Sequence, residues 1–185
     1  VTNMQGNELE GLPDALHGLV YCPGSINLKP FPRFKEEDFL NDFHLNALGA
    51  AKVAQACLKN LKKAKGASVV MFSTVASQVG MSFHASIAMA KGAVEGLGKT
   101  LAAELASSHV RVNMVAPSLT DTPLAKGLLS SDDKRNASAK RHPLTRVGMP
   151  EDMGRLAQFL LSDDGSWITG QVITVDGGLS GTRGL

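Results

Sequence analysis

Residues 67–118 read ASVVMFSTVASQVGMSFHASIAMAKGAVEGLGKTLAAELASSHVRVNMVAPS, and this stretch decides the fold. Its two ends, residues 67–74 and 110–118, are short apolar runs that stop at polar residues or at proline. Such runs are typical of strands that are buried on both faces. Between them, residues 84–107 carry apolar side chains at helical spacing, namely Val94, Leu97, Leu101 and Leu105. The order strand, helix, strand predicts a parallel β–α–β unit.

The same alternation continues on both sides of this unit. Residues 16–24 form an apolar run that ends in Pro-Gly, which predicts a buried strand and a turn. A helical pattern runs from Glu36 to about Lys63, and a capped helix is predicted for residues 150–161, with proline and acids in its first turn. Residues 170–178 predict the last strand, and the polar residues 119–146 predict short helices. The expected fold is α/β: a three-layer, doubly wound, Rossmann-like parallel sheet that forms one domain over residues 1–185.

Composition excludes several classes of protein. The 185 residues are 43% hydrophobic and 19% charged, as in an ordinary globular domain, and the formal net charge is +2. The lysines of residues 59–65 close a helical pattern, so they favour solvation of a helix end over nucleic-acid binding. Cys22 and Cys57 lack metal-site spacing, and no metal is expected; two isolated thiols suit a reducing cytoplasm. Neither a membrane-spanning run nor a signal peptide is predicted.

Small and polar residues follow three of the predicted strands. They are Pro23-Gly24, Ser73-Thr74 and Pro117-Ser118. In parallel α/β sheets, ligands bind just beyond the carboxyl ends of the strands. The sequence therefore predicts a binding cleft at this edge of the sheet.

Six motifs, in order and at consistent spacing, make the chain resemble the short-chain dehydrogenase/reductase family over nearly its whole length. Tyr21–Gly24 (YCPG) stands where the family has an Asn-Asn-Ala-Gly turn, and Asn46 stands where it has an asparagine that holds a relay water. Thr74 occupies the position of the catalytic serine, and Lys91 that of the catalytic lysine. Residues 111–123 (RVNMVAPSLTDTP) and 168–178 (ITGQVITVDGG) resemble the family's nicotinamide-lining segment and its closing strand. The resemblance implies NAD or NADP as cofactor and a small carbonyl or alcohol as substrate.

The chain also departs from the family pattern at three places. No strand followed by a Gly-rich phosphate-binding turn precedes residue 16, so an N-terminally truncated fold is expected, in which the first βαβαβ unit is missing. Such a chain would be a fragment, a processed form or an unusual natural product. Ile87 stands where the family has its proton-donating tyrosine, four residues before Lys91. The Pro-Gly turn of the family is here Pro117-Ser118.

The resemblance implies a set of site residues. The expected catalytic residues are Asn46, Ser73, Thr74, His84 and Lys91. The expected cofactor-binding residues are Pro23, Gly24, Lys91, Pro117, Ser118, Thr120 and Thr122. Three replacements for the tyrosine stay open: His84, one helical turn before Ile87; Ser86, which is adjacent but points elsewhere on a helix; and Lys91 acting through water.

The function expected from the resemblance is an NAD(P)-dependent oxidoreductase that interconverts a carbonyl and an alcohol. The alternatives are a catalytically inactive, cofactor-sensing or structural subunit, and an incomplete enzyme. Tyr21 is expected to pack within its strand, and Trp167 to lie in the core or at a subunit contact. Small residues on the two long helices, together with an apolar edge strand at residues 16–22, predict a homodimer or homotetramer.

Overall fold

The computed structural model describes Leu9 and residues 11–182 as a parallel sheet with helices on both faces. The strands are β1 (Gly18–Tyr21), β2 (Ser68–Phe72), β3 (Arg111–Pro117) and β4 (Val172–Val175), and they lie side by side in that order. The helices are α1 (Glu36–Phe43), α2 (Gly49–Lys63), α3 (Ala85–Leu105), α4 (Asp132–Ala139) and α5 (Pro150–Leu161). A π-helical turn, His44–Leu48, joins α1 to α2.

The predicted elements are present, with shifts at their ends. Helix α5 begins at Pro150 and ends at Leu161 as predicted, and α3 is shorter than predicted by one residue at its start and two at its end. The helix predicted from Glu36 to Lys63 is interrupted by the π-helical turn. The polar stretch after β3 holds a 3-10 turn, Pro123–Ala125, and α4, which confirms short helices there. Among residues 11–182, no helix combines the length and the apolar character that a membrane span requires.

Alternating side chains of the strands pack into two separate hydrophobic cores, one on each face of the sheet. Val69 and Met71 of β2 pack with residues of α2 and α3 on one face, while Val70 of β2 packs with Leu160 of α5 on the other. Because successive side chains of a strand point to opposite faces, helices must cover both faces of this sheet. The three-layer arrangement predicted from the continuous apolar runs is confirmed.

Helix α3 lies close to β3 at one glycine. A Cβ atom added to Gly98 would overlap the sulfur of Met114, which is fully buried in β3. Gly92 and Gly96 of α3 border open space, so a Cβ atom added to either would touch nothing. Among the three glycines of α3, Gly98 is therefore the one that close packing against β3 requires.

Two aromatic residues behave differently from one another. Tyr21 is 3% exposed, and its hydroxyl donates a 2.6 Å hydrogen bond to the backbone oxygen of Leu45, so its expected packing in β1 is confirmed. Trp167 is 99% exposed, so the expected core position is wrong, while the alternative of a subunit contact stays a prediction. It lies just after the 3-10 turn Asp163–Gly165, at the surface of the subunit.

The carboxyl ends of the parallel strands lie on the same side of the sheet. Phe72 is in register with Val115, and Pro117 with Val175. Strand β1 pairs with β2 through the register Tyr21 to Met71, and among the described strands β1 and β4 are the two edge strands of the sheet. Residues that follow β1, β2 and β3 are thereby brought to the same side, where the sequence predicts the cleft.

Candidate active site

Lys91 is a buried cation at the end of β2. Its side chain is 6% exposed, and its Nζ donates a 2.7 Å hydrogen bond to the Phe72 oxygen and a 3.5 Å one to the Pro23 oxygen. Burial lowers the pKa of Lys91 to about 8, with a smaller opposing effect of Cys22. Neutral carbonyls hold this ammonium group in place, and an ammonium that loses hydration in this way gives up its proton more readily.

Asn46 lies beside Lys91 with one atom unpaired. Its side chain is fully buried; Nδ2 donates to the Asp42 oxygen at 2.8 Å and to Ser25 Oγ at 3.1 Å. Because these two acceptors fix the amide orientation, the other side-chain atom is the oxygen. This Oδ1 is buried and has no hydrogen-bond partner among the described residues.

Gly24 separates the Asn46 oxygen from the lysine. A Cβ atom at position 24 would lie 3.5 Å from Asn46 Oδ1 and 3.6 Å from Lys91 Nζ. An acceptor and a donor therefore face one small space that a larger residue would fill. We call Pro23, Gly24, Asn46 and Lys91 the Lys91 cluster.

A buried carboxylate fixes the Lys91 cluster from behind. Asp42 is 3% exposed and accepts hydrogen bonds from Ser25 Oγ at 2.6 Å and from Ser86 Oγ at 2.5 Å. Ser25 in turn accepts from Asn46, so the carboxylate, the hydroxyl and the amide form one network. Asn46 lies in the π-helical turn, and such turns are frequent at functional sites because they reorient side chains.

The Lys91 cluster fits one part of a nicotinamide dinucleotide. The unpaired Asn46 oxygen and the Lys91 ammonium offer an acceptor and a donor to a water or a sugar hydroxyl, and Gly24 leaves room for it. These groups suit the ribose next to the nicotinamide. They offer no set of backbone N–H groups for a pyrophosphate, so the fit concerns the ribose end alone.

The tyrosine position of the resembled family is apolar here. Ile87 is 6% exposed and has no proton to give. His84 precedes α3 as its N-cap residue, and its Nδ1 lies 2.7 Å from the Ser82 oxygen. Ser86 is fully buried against Asp42, as its direction on the helix predicts.

The residues after β2 use their hydroxyls locally. Ser73 Oγ lies 2.5 Å from Glu95 Oε1 and 3.1 Å from Ser77 Oγ, so its hydroxyl is directed at α3. Thr74 Oγ1 accepts a bond from the Ala76 backbone N–H at 3.3 Å and caps the 3-10 turn Val75–Ser77. Thr74 is half-buried, whereas Ser73 is 4% exposed. Of this pair, Thr74 is the better placed to meet a substrate.

The residues after β3 belong to a second cleft. Ser118 Oγ lies 2.8 Å from His142 Nε2, and His142 Nδ1 lies 2.9 Å from the Ser138 oxygen. Because a carbonyl oxygen only accepts, Nδ1 carries the hydrogen, and in the neutral ring Nε2 accepts from the Ser118 hydroxyl. Both side chains line a cleft of about 330 Å³ between the ends of β3 and β4, which we call the β3–β4 cleft.

The segment that follows Ser118 is held by its own backbone. Thr120 Oγ1 donates to the Ser118 oxygen at 3.0 Å, and Thr122 Oγ1 donates to the Thr120 oxygen at 3.4 Å. Thr120 also pairs with Gly148 in an isolated β-bridge. Pro117 ends β3 one residue before Ser118. The expected cofactor residues thus form two groups: Pro23, Gly24 and Lys91 lie in the Lys91 cluster, and Pro117, Ser118, Thr120 and Thr122 lie in the segment after β3.

Sequence reasoning missed His142 and Asp42. His142 stands in a polar stretch next to a proline, and it pairs with a residue 24 positions away, so no local pattern reveals it. Asp42 lies on the face of α1 that packs against α3. A carboxylate on the same helical face as apolar residues is the sequence signal that could have predicted a buried, functional Asp42.

Comparison with known proteins gives matches over most of the chain. Residues 7–180 match the model of the family described as enoyl-(acyl carrier protein) reductase. The chain is 36% identical over 148 residues to 3-oxoacyl-(acyl-carrier-protein) reductase of Chlamydia trachomatis, covering 80% of this chain and 59% of that protein. It is 35% identical over 165 residues to a tropinone reductase homologue of Arabidopsis thaliana, covering 89% and 63%.

Solved structures agree as well. A short-chain dehydrogenase/reductase from Mycobacterium ulcerans superimposes with a TM-score of 0.85 at 36% identity, covering 92% of this chain and 62% of that one. A gluconate 5-dehydrogenase from Burkholderia cenocepacia, solved with NADP and tartrate, gives 0.86 at 28% identity, covering 91% and 66%.

The parallel sheet, the cleft at its carboxyl edge and the buried lysine define a Rossmann-like α/β protein. More narrowly, the chain belongs to the short-chain dehydrogenase/reductase family. It spans about 60% of the length of the curated relatives it matches.

Proposed function

We propose that this chain forms the nicotinamide-ribose and substrate part of an NAD(P)-dependent oxidoreductase that interconverts a carbonyl and an alcohol. The observation that carries the proposal is the Lys91 cluster, where a buried ammonium and an unpaired amide oxygen face one space beside Gly24. The gluconate 5-dehydrogenase was solved with NADP, and the relatives are named as reductases.

The proposed site divides into three sets of residues. Lys91 and Asn46 hold the ribose and its water, with Pro23 and Gly24 as the backbone wall. Thr74 polarises the substrate carbonyl, while Ser73 supports the turn. The segment formed by Pro117, Ser118, Thr120 and Thr122 lines the nicotinamide.

An experiment can test this assignment with a matched control. The protein is incubated with NADH or NADPH and a panel of ketones and aldehydes, and loss of absorbance at the nicotinamide band is followed. We expect turnover in wild type and a loss of at least tenfold in cofactor affinity in Lys91→Met. The control is Lys99→Met, on the same helix and exposed, which should behave as wild type. Equal cofactor affinity in Lys91→Met and Lys99→Met would contradict the proposal.

A second function is favoured by Ile87 at the tyrosine position. In that case the chain is an inactive, cofactor-sensing or structural subunit that binds NAD(P) without reducing a carbonyl. Saturable cofactor binding with no turnover over a broad panel, in wild type and in Ile87→Tyr alike, would favour this alternative.

We further propose a cytoplasmic homodimer or homotetramer. The two cysteines are free, which suits a reducing compartment. Gly92 and Gly96 leave open space along α3, and Val20 on the edge strand is 39% exposed, so a second copy has a face to cover.

A further inference from the structure

Carbonyl reduction needs a proton donor, and Ile87 supplies none. When the carbonyl carbon accepts a hydride, its oxygen becomes an alkoxide that must take up a proton. The donor has to be an O–H or N–H group that reaches the reacting atoms. The described residues around Ile87 offer few groups of this kind, and most of them are engaged elsewhere.

The alternative donors are poorly placed. The Tyr21 hydroxyl donates to the Leu45 oxygen, and burial raises its pKa to about 12. The Ser86 hydroxyl is fully buried and donates to Asp42. His84 lies before the first turn of α3 with its ring held at the Ser82 oxygen.

Lys91 has the geometry of a donor. Two of its N–H groups point to the backbone oxygens of Phe72 and Pro23, which leaves a third for the space beside Gly24. The unpaired Asn46 oxygen borders the same space, so a water held there would return a proton to the lysine. A pKa of about 8 is close to the pH at which general acids work best.

Lys91 has no carboxylate partner among the described residues, because the two nearby carboxylates are bound by other side chains. Asp42 on α1 is held by Ser25 and Ser86, and Glu95 on α3 is bound by Ser73 and Ser77. Cys22, which follows β1, is the remaining titratable neighbour. The ammonium is therefore held by neutral oxygens, and within this part of the chain no ion pair retains its proton.

We propose that Lys91 is the catalytic acid that replaces the missing tyrosine, and this role rests on the proposed oxidoreductase function. The carbonyl carbon accepts a hydride from the reduced nicotinamide, which is thereby oxidised, and the π electron pair moves to the oxygen. That oxygen takes a proton from Lys91 Nζ, directly or through one water, and Lys91 is left as a neutral amine. Solvent returns the proton through the water at Asn46 Oδ1.

The test compares Lys91→Arg with wild type. Arginine keeps the charge and the bonds to the two carbonyls but does not release a proton near neutral pH. We expect cofactor affinity within about threefold of wild type and a fall in carbonyl reduction of about 10² to 10⁴. Adding Ile87→Tyr to Lys91→Arg should restore at least tenfold. The control is Lys99→Arg, exposed on the same helix, which should match wild type. Undiminished reduction by Lys91→Arg would overturn the proposal.

The wild-type protein gives an independent readout without turnover. Competitive acetylation of lysines, measured by mass spectrometry between pH 6 and 11, should show Lys91 titrating near 8, below the ordinary lysine pKa of about 10.4. Reduction should be constant below pH 8 and fall above it, because the ammonium form is required. Oxidation of the alcohol should rise through the same pH, because the amine form accepts the proton.

Different results overturn the donor role of Lys91 and the oxidoreductase function. A Lys91 that titrates above 10, or a reduction rate that does not fall between pH 7 and 9, overturns the donor role and leaves the oxidoreductase function standing. Saturable cofactor binding with no turnover on any carbonyl overturns the oxidoreductase function itself, and the donor role falls with it.

Discussion

Replacing Gly24 by alanine tests the space between Asn46 and Lys91. The new methyl group would lie 3.5 Å from Asn46 Oδ1 and 3.6 Å from Lys91 Nζ, which is ordinary van der Waals contact, and the φ angle of Gly24 is outside the left-handed region. The backbone therefore tolerates alanine, which by itself stabilises a fold by about 0.4–1 kcal/mol through the unfolded chain.

The methyl group also removes the place of any water that bonds to the Asn46 oxygen. Leaving a buried acceptor without a partner costs about 1–3 kcal/mol. The cost of leaving the Asn46 oxygen unpaired exceeds the stabilisation that alanine gives through the unfolded chain. We therefore expect Gly24→Ala to lower the free energy of unfolding by about 1 kcal/mol, measured by urea denaturation.

Gly80→Ala is the matched control for this prediction. A Cβ atom at position 80 meets nothing within 4 Å, and the φ angle of Gly80 is also outside the left-handed region. Gly80→Ala should therefore show only the stabilisation that alanine gives through the unfolded chain. If Gly24→Ala were as stable as Gly80→Ala, the unpaired oxygen of Asn46 would hold no water, and the reasoning about this space would be wrong.

Three further predictions concern packing, pairing and assembly. Gly98→Ala should destabilise the fold by about 1–3 kcal/mol because its methyl overlaps Met114, whereas Gly154→Ala, at an exposed position of α5, should stabilise it by about 0.5–1 kcal/mol; equal effects in denaturant titrations would refute the close approach of α3 to β3. Ser118→Ala and His142→Leu, made singly and together, should show a coupling of about 0.5–3 kcal/mol in a double-mutant cycle, and strict additivity would deny their hydrogen bond. Light scattering at micromolar concentration should give a dimer or tetramer, and a monomer would refute the proposed assembly.

Local patterns predicted the layers of the fold well. The run Val69–Met71 is apolar at every position, which only a strand covered on both faces requires, and helices do cover both of its faces. Helix α5 has proline and acids in its first turn, and these fixed its start. In each case the deciding information lies within a few residues, so one sequence suffices.

Features that depend on distant contacts were out of reach. The Asn46 amide donates to the Asp42 oxygen four positions away and to Ser25 Oγ 21 positions away, and the second of these contacts has no local signal. Trp167 was expected in the core or at a subunit contact, yet it follows a surface turn and its side chain is exposed in the subunit. The site showed the same division: motif spacing predicted Lys91 and Asn46 together, whereas the partner of Ser118 emerged only from the folded chain.

The central claim is that the Lys91 cluster holds the nicotinamide ribose. The most direct measurement is a ¹H–¹⁵N NMR titration of the protein with nicotinamide mononucleotide at millimolar concentration, with adenosine monophosphate as the control ligand. We expect saturable shifts in the amides of Gly24, Asn46 and Lys91 with the nicotinamide ligand alone, and their loss in Lys91→Met. Shifts that are absent from these residues, or that both ligands cause equally, would contradict the account.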